Sequence, residues 1–223
     1  GPLVRQQLPD LPAANLILEP ANRDTAPCIG LVAAKLYQKD PDAVLAILPA
    51  DHHIVDAPSF VQCAQTALTL AEETSHIVTI GIMPTYAAEG YGYLQAGEAL
   101  DLPYSQAIFA VSRFVEKPSA AKAEAYLEQG GYYWNSGMFF ARAAVLLAAI
   151  EHCMPELSFG LQKLLPSLNT PEELQALAEY YPALEKCSFD YGVMEHATQI
   201  LTVVGDFAWD DVGTWQAVAR YWP

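Results

Sequence analysis

Two aspartates far apart in the chain, Asp51 and Asp211, each follow an apolar run and could share one divalent cation. A hard cation such as magnesium takes carboxylate oxygens, with phosphate oxygens and water completing its octahedron. Lys117 is one of few cations in an acidic chain and could meet a phosphate as a point charge. Pro118 fixes the backbone immediately after it. Beside them, Glu116 could bond sugar hydroxyls, and Gly90-Tyr-Gly-Tyr93 combines close backbone approach with aromatic faces suited to a sugar. Each group also has a plainer role. Asp51 could cap the segment after it, Asp210 and Asp211 the last helix, and Asp190 a short helical turn flanked by Glu195. Lys117 could be a solvated surface lysine and Glu116 part of a simple surface ion pair, and His52 and His53 read as structural or exposed.

In open α/β sheets, ligands bind beyond the carboxyl ends of the strands, and the chain has the rhythm that builds one. Apolar runs at 15–18, 43–48 and 77–82 read as strands, separated by helical spacing over 25–38 and 59–73. Further strands are expected at 91–97, 108–115, 134–140 and 199–204. Helices are expected at 119–129, 143–151 and 212–221, with two more packed outside within 154–182. The alternation predicts an α/β class with a mixed, mostly parallel sheet flanked by helices. Without internal repeat or low-complexity linker, residues 1–223 read as a single domain.

Composition narrows the partners. With 52% hydrophobic and 17% charged residues the chain is globular and can bury a large core. Its net charge of −15 argues against nucleic acid and anionic membranes as partners. A phosphorylated ligand would also be repelled unless a metal and a few placed cations reverse the field locally. No apolar run approaches the roughly 18 residues of a membrane span, and residues 1–10 lack the apolar core of a signal peptide. Cys28, Cys63, Cys153 and Cys187 show no C-x-x-C pairing and the five histidines are dispersed, which speaks against zinc. A reduced, cytoplasmic protein is the simplest account.

Seven stretches, taken together and in order, resemble the mannose-1-phosphate guanylyltransferases. They are Glu19-Pro-Ala-Asn-Arg-Asp-Thr-Ala-Pro27, Leu48-Pro-Ala-Asp-His52, Gly90-Tyr-Gly-Tyr93 and Arg113-Phe-Val-Glu-Lys-Pro118. Trp134-Asn-Ser-Gly-Met-Phe139, Phe189-Asp-Tyr-Gly-Val-Met-Glu195 and Trp209-Asp-Asp-Val-Gly-Thr-Trp215 complete the set. The resemblance implies a nucleotide-diphospho-sugar transferase (Rossmann-like) fold, Mg2+ dependence, and formation of GDP-mannose and pyrophosphate from GTP and mannose 1-phosphate. By position it implies Asp51 and Asp211 as metal ligands and Lys117 on the sugar phosphate. It puts Glu116, Asn135 and Gly92, with Tyr93, around the sugar, and Glu19, Pro20, Arg23 and Thr25 near the base.

The family also opens with a strand and a glycine-rich, Arg-containing loop for the triphosphate, and nothing before Leu16 resembles them. The expectation is a truncated domain without its first βαβ unit and with little transferase activity alone, a homodimer being its candidate assembly. The competing readings are another hexose-1-phosphate nucleotidyltransferase, or a non-catalytic sugar-nucleotide-binding regulatory protein.

Overall fold

Continuous apolar runs form strands buried on both faces, and apolar residues at helical spacing form the helices that cover them. The computed structural model describes residues 2–219 together with 221 and 222. Its first half comprises α1 (Pro2–Gln7), α2 (Thr25–Lys39), β1 (Val44–Ile47), β2 (His52–Ile54), α3 (Ala57–Glu73), β3 (Ile77–Ile82), β4 (Tyr93–Ala99) and β5 (Ile108–Val115). The second half comprises α4 (Ala120–Gln129), β6 (Tyr132–Arg142), α5 (Ala143–Cys153), α6 (Pro155–Leu164), α7 (Glu173–Tyr180), β7 (Ile200–Gly205), β8 (Trp209–Asp211) and α8 (Trp215–Ala219). A π-helical turn spans Asp190–Met194.

Helix starts carry their own signals. The Asp56 carboxylate accepts the backbone N–H of Ser59 at 3.1 Å and its hydroxyl at 2.6 Å, and a proline occupies the first turn of α3. At the head of α2 the Asp24 side chain accepts the N–H of Thr25 at 2.9 Å.

Six strands form one sheet in the order β1-β6-β3-β7-β5-β4, and β2 pairs with β8 in a separate two-stranded ribbon. The sheet is mixed, as expected, but its parallel share is smaller than the alternation suggested. Among the described residues only β3 and β7 pair in parallel, because β6 runs between β1 and β3 antiparallel to both. Strand alternation divides the core between the two faces. Tyr133, Phe139 and Ala141 of β6 pack with α2, α5 and α6, while Tyr132, Trp134, Met138 and Phe140 pack with α3 and α4.

Two expected elements differ. Residues 15–18 form no strand: a 3-10 turn at Ala13–Asn15 leads into irregular chain, and Leu18 is exposed with no strand beside it. The last helix is described over Trp215–Ala219, and position 220 of the expected 212–221 span lies outside the described residues. No helix among the described residues is long and apolar enough to cross a membrane.

Candidate functional site

The site occupies a gap along one edge of β6. Ile47, the last residue of β1, pairs with Phe139, and Tyr93, the first of β4, pairs with Trp134. Between those points β6 bulges, with Gly137 at φ 69°, and residues Asn135 to Gly137 are left facing a cavity of about 360 Å3. Asp51, Gly92, Glu116, Lys117, Asn135, Asp190 and Asp211 all line it.

The two aspartates meet through the short ribbon. His52 of β2 is in register with Asp211 of β8, and the N–H of Val212 donates to the Asp51 carbonyl at 3.3 Å. A Cβ added to Gly213 would stand 2.9 Å from Asp211 Oδ1 and 3.8 Å from Asp51 Oδ2, so both carboxylates face the same glycine. Ligand atoms of Asp51, His52 and Asp211 lie within 4.8 Å of one another. Of these three, His52 is the poor ligand. The indole N–H of Trp209 donates to its Nδ1 at 3.1 Å, so the neutral ring carries its proton on Nε2. Burial lowers the proton affinity of that ring, ahead of the opposing pull of Asp211 and Asp51. With both ring nitrogens engaged or protonated, two carboxylates remain, a donor set suited to a hard, oxygen-seeking cation.

Lys117 and Glu116 follow β5. The Glu195 carboxylate accepts the backbone N–H of Glu116 at 2.9 Å and holds the turn. Lys117 itself sits at φ 44°, a left-handed backbone that costs a non-glycine residue on the order of 1 kcal/mol or more. Its Nζ donates to Glu116 Oε1 at 2.7 Å, and this bond raises the lysine's pKa, so it is fully cationic at neutral pH.

Asn135 is buried and held from three sides. Its N–H donates to the carbonyl of Gly92 at 2.8 Å. Its Oδ1 accepts the Thr79 hydroxyl at 3.0 Å, and its Nδ2 donates to Asp190 Oδ1 at 2.7 Å. Desolvation, reinforced by the nearby Glu116, pushes the Asp190 carboxyl up to about 6.

The structure leaves some expected groups elsewhere. Tyr93 is 1% exposed, with its ring in the core beside Tyr126 and its hydroxyl accepting the N–H of Ala88, so Tyr91 forms the aromatic wall instead. Glu19, Pro20 and Arg23 do not line the cavity, and the Glu19 carboxylate is taken by the Tyr181 hydroxyl. Thr25 does line it, and its hydroxyl oxygen accepts the N–H of Phe189 at 2.8 Å. The capping roles fall away as well. Thr214 caps α8 by accepting the N–H of Ala217, Asp211 Oδ1 accepts the N–H of Gly213 at 2.8 Å, and Asp190 turns to Asn135. Asp190, Thr79, Glu195 and Trp209 complete the site without having been singled out for it. Of these, Asp190 and Glu195 share one of the recognised stretches, while nothing in the sequence marks Thr79.

The balance of charge is unusual for a phosphate site. Four carboxylates (Asp51, Glu116, Asp190 and Asp211) and one lysine, Lys117, line the cavity. A cation between Asp51 and Asp211 would invert the field there. Cys28 also lines the wall, but burial raises its thiol to about 11, so it is no nucleophile at neutral pH.

The sequence pattern of the family described as nucleotidyl transferase matches residues 2–221. The chain belongs to that family. It is 37% identical over 207 residues to a mannose-1-phosphate guanylyltransferase of Sinorhizobium fredii, covering 92% of this chain and 40% of the relative. It is 38% identical over 210 residues to a protein of the same name from Escherichia coli K12, covering 92% of this chain and 43% of the relative. The chain thus spans less than half the length of these curated relatives. Among solved structures it is similar to a Thermus thermophilus protein titled mannose-1-phosphate geranyltransferase, with a TM-score of 0.83 and 34% identity over 98% of this chain and 60% of that one.

Proposed function

We propose that this chain carries the sugar-phosphate and metal-binding part of an enzyme that transfers GMP from GTP to mannose 1-phosphate, releasing pyrophosphate. The observation that carries the reading is the lining of one cavity: Asp51 and Asp211 facing one glycine, Glu116 and Asn135 packed about Gly92, and Lys117 within electrostatic reach of Glu116 and Asp211. The names of the guanylyltransferase relatives support the choice of mannose and of the guanine nucleotide.

In this reading Asp51 and Asp211 would hold Mg2+, which supplies neutralisation of phosphate charge when bound. Lys117 holds the phosphate of the sugar 1-phosphate as a permanent cation. Glu116 and Asn135 orient the ring, and the missing side chain of Gly92 leaves room for the Glu116 carboxylate beside it. A phosphate oxygen of the sugar is thereby aimed at the α-phosphorus of the nucleotide, in line with the departing pyrophosphate. Positioning and charge neutralisation carry most of such a reaction. Thr25 is the one of four base-side candidates that lines the cavity, and we assign the nucleotide to that side. The four cysteines are free, which supports a reducing cytoplasmic setting, and assembly as a homodimer belongs to the same proposal.

The test is pyrophosphate release by the full-length protein containing this chain, with Mg2+, mannose 1-phosphate and GTP. UTP and dTTP serve as competing nucleotides and glucose 1-phosphate as the competing sugar. Fastest release with GTP and mannose 1-phosphate is expected; equal or faster release with another pair contradicts the assignment.

A further inference from the structure

The carboxylate of Asp190 has no structural task that explains its cost. It stands at the cavity wall on a π-helical turn, a backbone form frequent at functional sites. It accepts a hydrogen bond from Asn135 Nδ2 at 2.7 Å and one from its own backbone N–H, and a carboxylate can accept more. The charged groups facing it are Glu116, which repels it, and Lys117, whose Nζ is bonded to Glu116 Oε1. Two half-buried carboxylates set side by side in a cavity wall are the kind of group that functional sites hold.

The neighbours define what that is. Asn135 is locked with Nδ2 toward Asp190 and Oδ1 toward Thr79, which leaves one N–H and one lone pair on its amide. Glu116 Oε2 lies over Gly92, close enough that an added Cβ there would meet it at 2.7 Å. The wall therefore presents two carboxylate acceptors beside an amide. An anionic phosphate is excluded from it, and a group rich in O–H donors is favoured, since hydroxyl-to-carboxylate bonds are among the stronger ones.

Resting on the function proposed above, we propose that Asp190, oriented by Asn135, is a substrate-contacting residue that accepts a hydrogen bond from a ring hydroxyl of the sugar 1-phosphate. It thereby sets the direction in which the ligand enters: ring toward Asp190 and Glu116, phosphate toward Lys117 and the Asp51–Asp211 pair.

Calorimetric binding of mannose 1-phosphate, with Mg2+ present, to the wild-type protein and to Asp190→Asn and Asp190→Ala tests this. The expected loss is about 10- to 100-fold, the size of a hydrogen bond to a charged group. The same titrations are repeated with the 2-, 3-, 4- and 6-deoxy analogues. One analogue is expected to bind wild type and Asp190→Asn equally, because the contacted hydroxyl is already gone. Wild-type affinity in both variants overturns the proposal, and so does an equal loss for all four analogues, which marks a purely structural residue. A wild-type protein that binds GTP but no hexose 1-phosphate overturns the sugar-site reading itself, and this proposal with it. Thermal unfolding of both variants separates lost binding from lost folding.

Discussion

A methyl group on Gly92 would stand 2.7 Å from Oε2 of Glu116 and 3.1 Å from the ring of Phe114. Glycine is required there by this close approach rather than by its backbone angles. The Glu116 carboxylate fills the space a side chain would take.

Gly92→Ala therefore leaves the fold intact, since the end of a glutamate side chain can move aside, but displaces Glu116 from the ligand. We expect affinity for mannose 1-phosphate to fall about tenfold, roughly 1.4 kcal/mol, with the melting temperature little changed. Calorimetry and thermal unfolding measure the two effects separately. Unfolding well below wild type would place the strain in the core instead.

Lys117 combines a charge with a left-handed backbone at φ 44°. Lys117→Ala and Lys117→Gly both remove the cation and are expected to lower pyrophosphate formation by about 100-fold or more, as loss of a preorganised charge does. They differ in stability. Glycine relieves the backbone strain that alanine retains, so Lys117→Gly should melt at or above Lys117→Ala. The reverse order would mean that the turn is not strained in the folded protein.

The hydrogen bond from Trp209 to His52 Nδ1 predicts one tautomer, with the neutral ring protonated on Nε2. Long-range nitrogen–proton NMR of the wild type should show that form alone. Trp209→Phe should give a mixture and cost about 1 kcal/mol of stability. An unchanged tautomer in the variant would show that another group orients the ring.

Asp190 predicts a pH dependence of stability. Its carboxyl is raised in the folded protein from 3.8 to about 6, chiefly by burial. An acid shifted upward supports folding fully below its unfolded value and loses that support as pH rises through the folded one. Between pH 4 and 7 the wild type should lose up to about 3 kcal/mol relative to Asp190→Asn, the variant being the more stable at neutral pH. Urea unfolding at several pH values checks this, and parallel curves for the two proteins would contradict it.

The sequence made the strand ends legible, and with them Asp51, Glu116, Lys117 and Asp211, because apolar runs stop where polar groups begin; Asn135, inside β6, stood out only through the family resemblance. What brings Asp51 to Asp211 was not legible. The ribbon of His52–Ile54 and Trp209–Asp211 is three residues a side and polar, too short for periodicity to mark as strand. Tyr91 and Tyr93 could not be ranked from composition, since only the start of β4 decides which ring enters the core. Residues 15–18 look like a strand by their apolar content, yet a strand also needs a neighbour, which lies outside local pattern. Asp190 resembled a cap because aspartate before a helical turn usually is one, and its bond to Asn135, 55 positions away, is a tertiary fact.

The most direct measurement is local broadening by Mn2+ in place of Mg2+, read on assigned amide and ring signals of the protein. Gly213, Val212 and His52 should broaden first, at Mn2+ concentrations well below those that affect the rest of the acidic surface. Either Asp51→Asn or Asp211→Asn should abolish that preference. Broadening that begins elsewhere, or that survives both substitutions, would contradict a cation held jointly by these two aspartates.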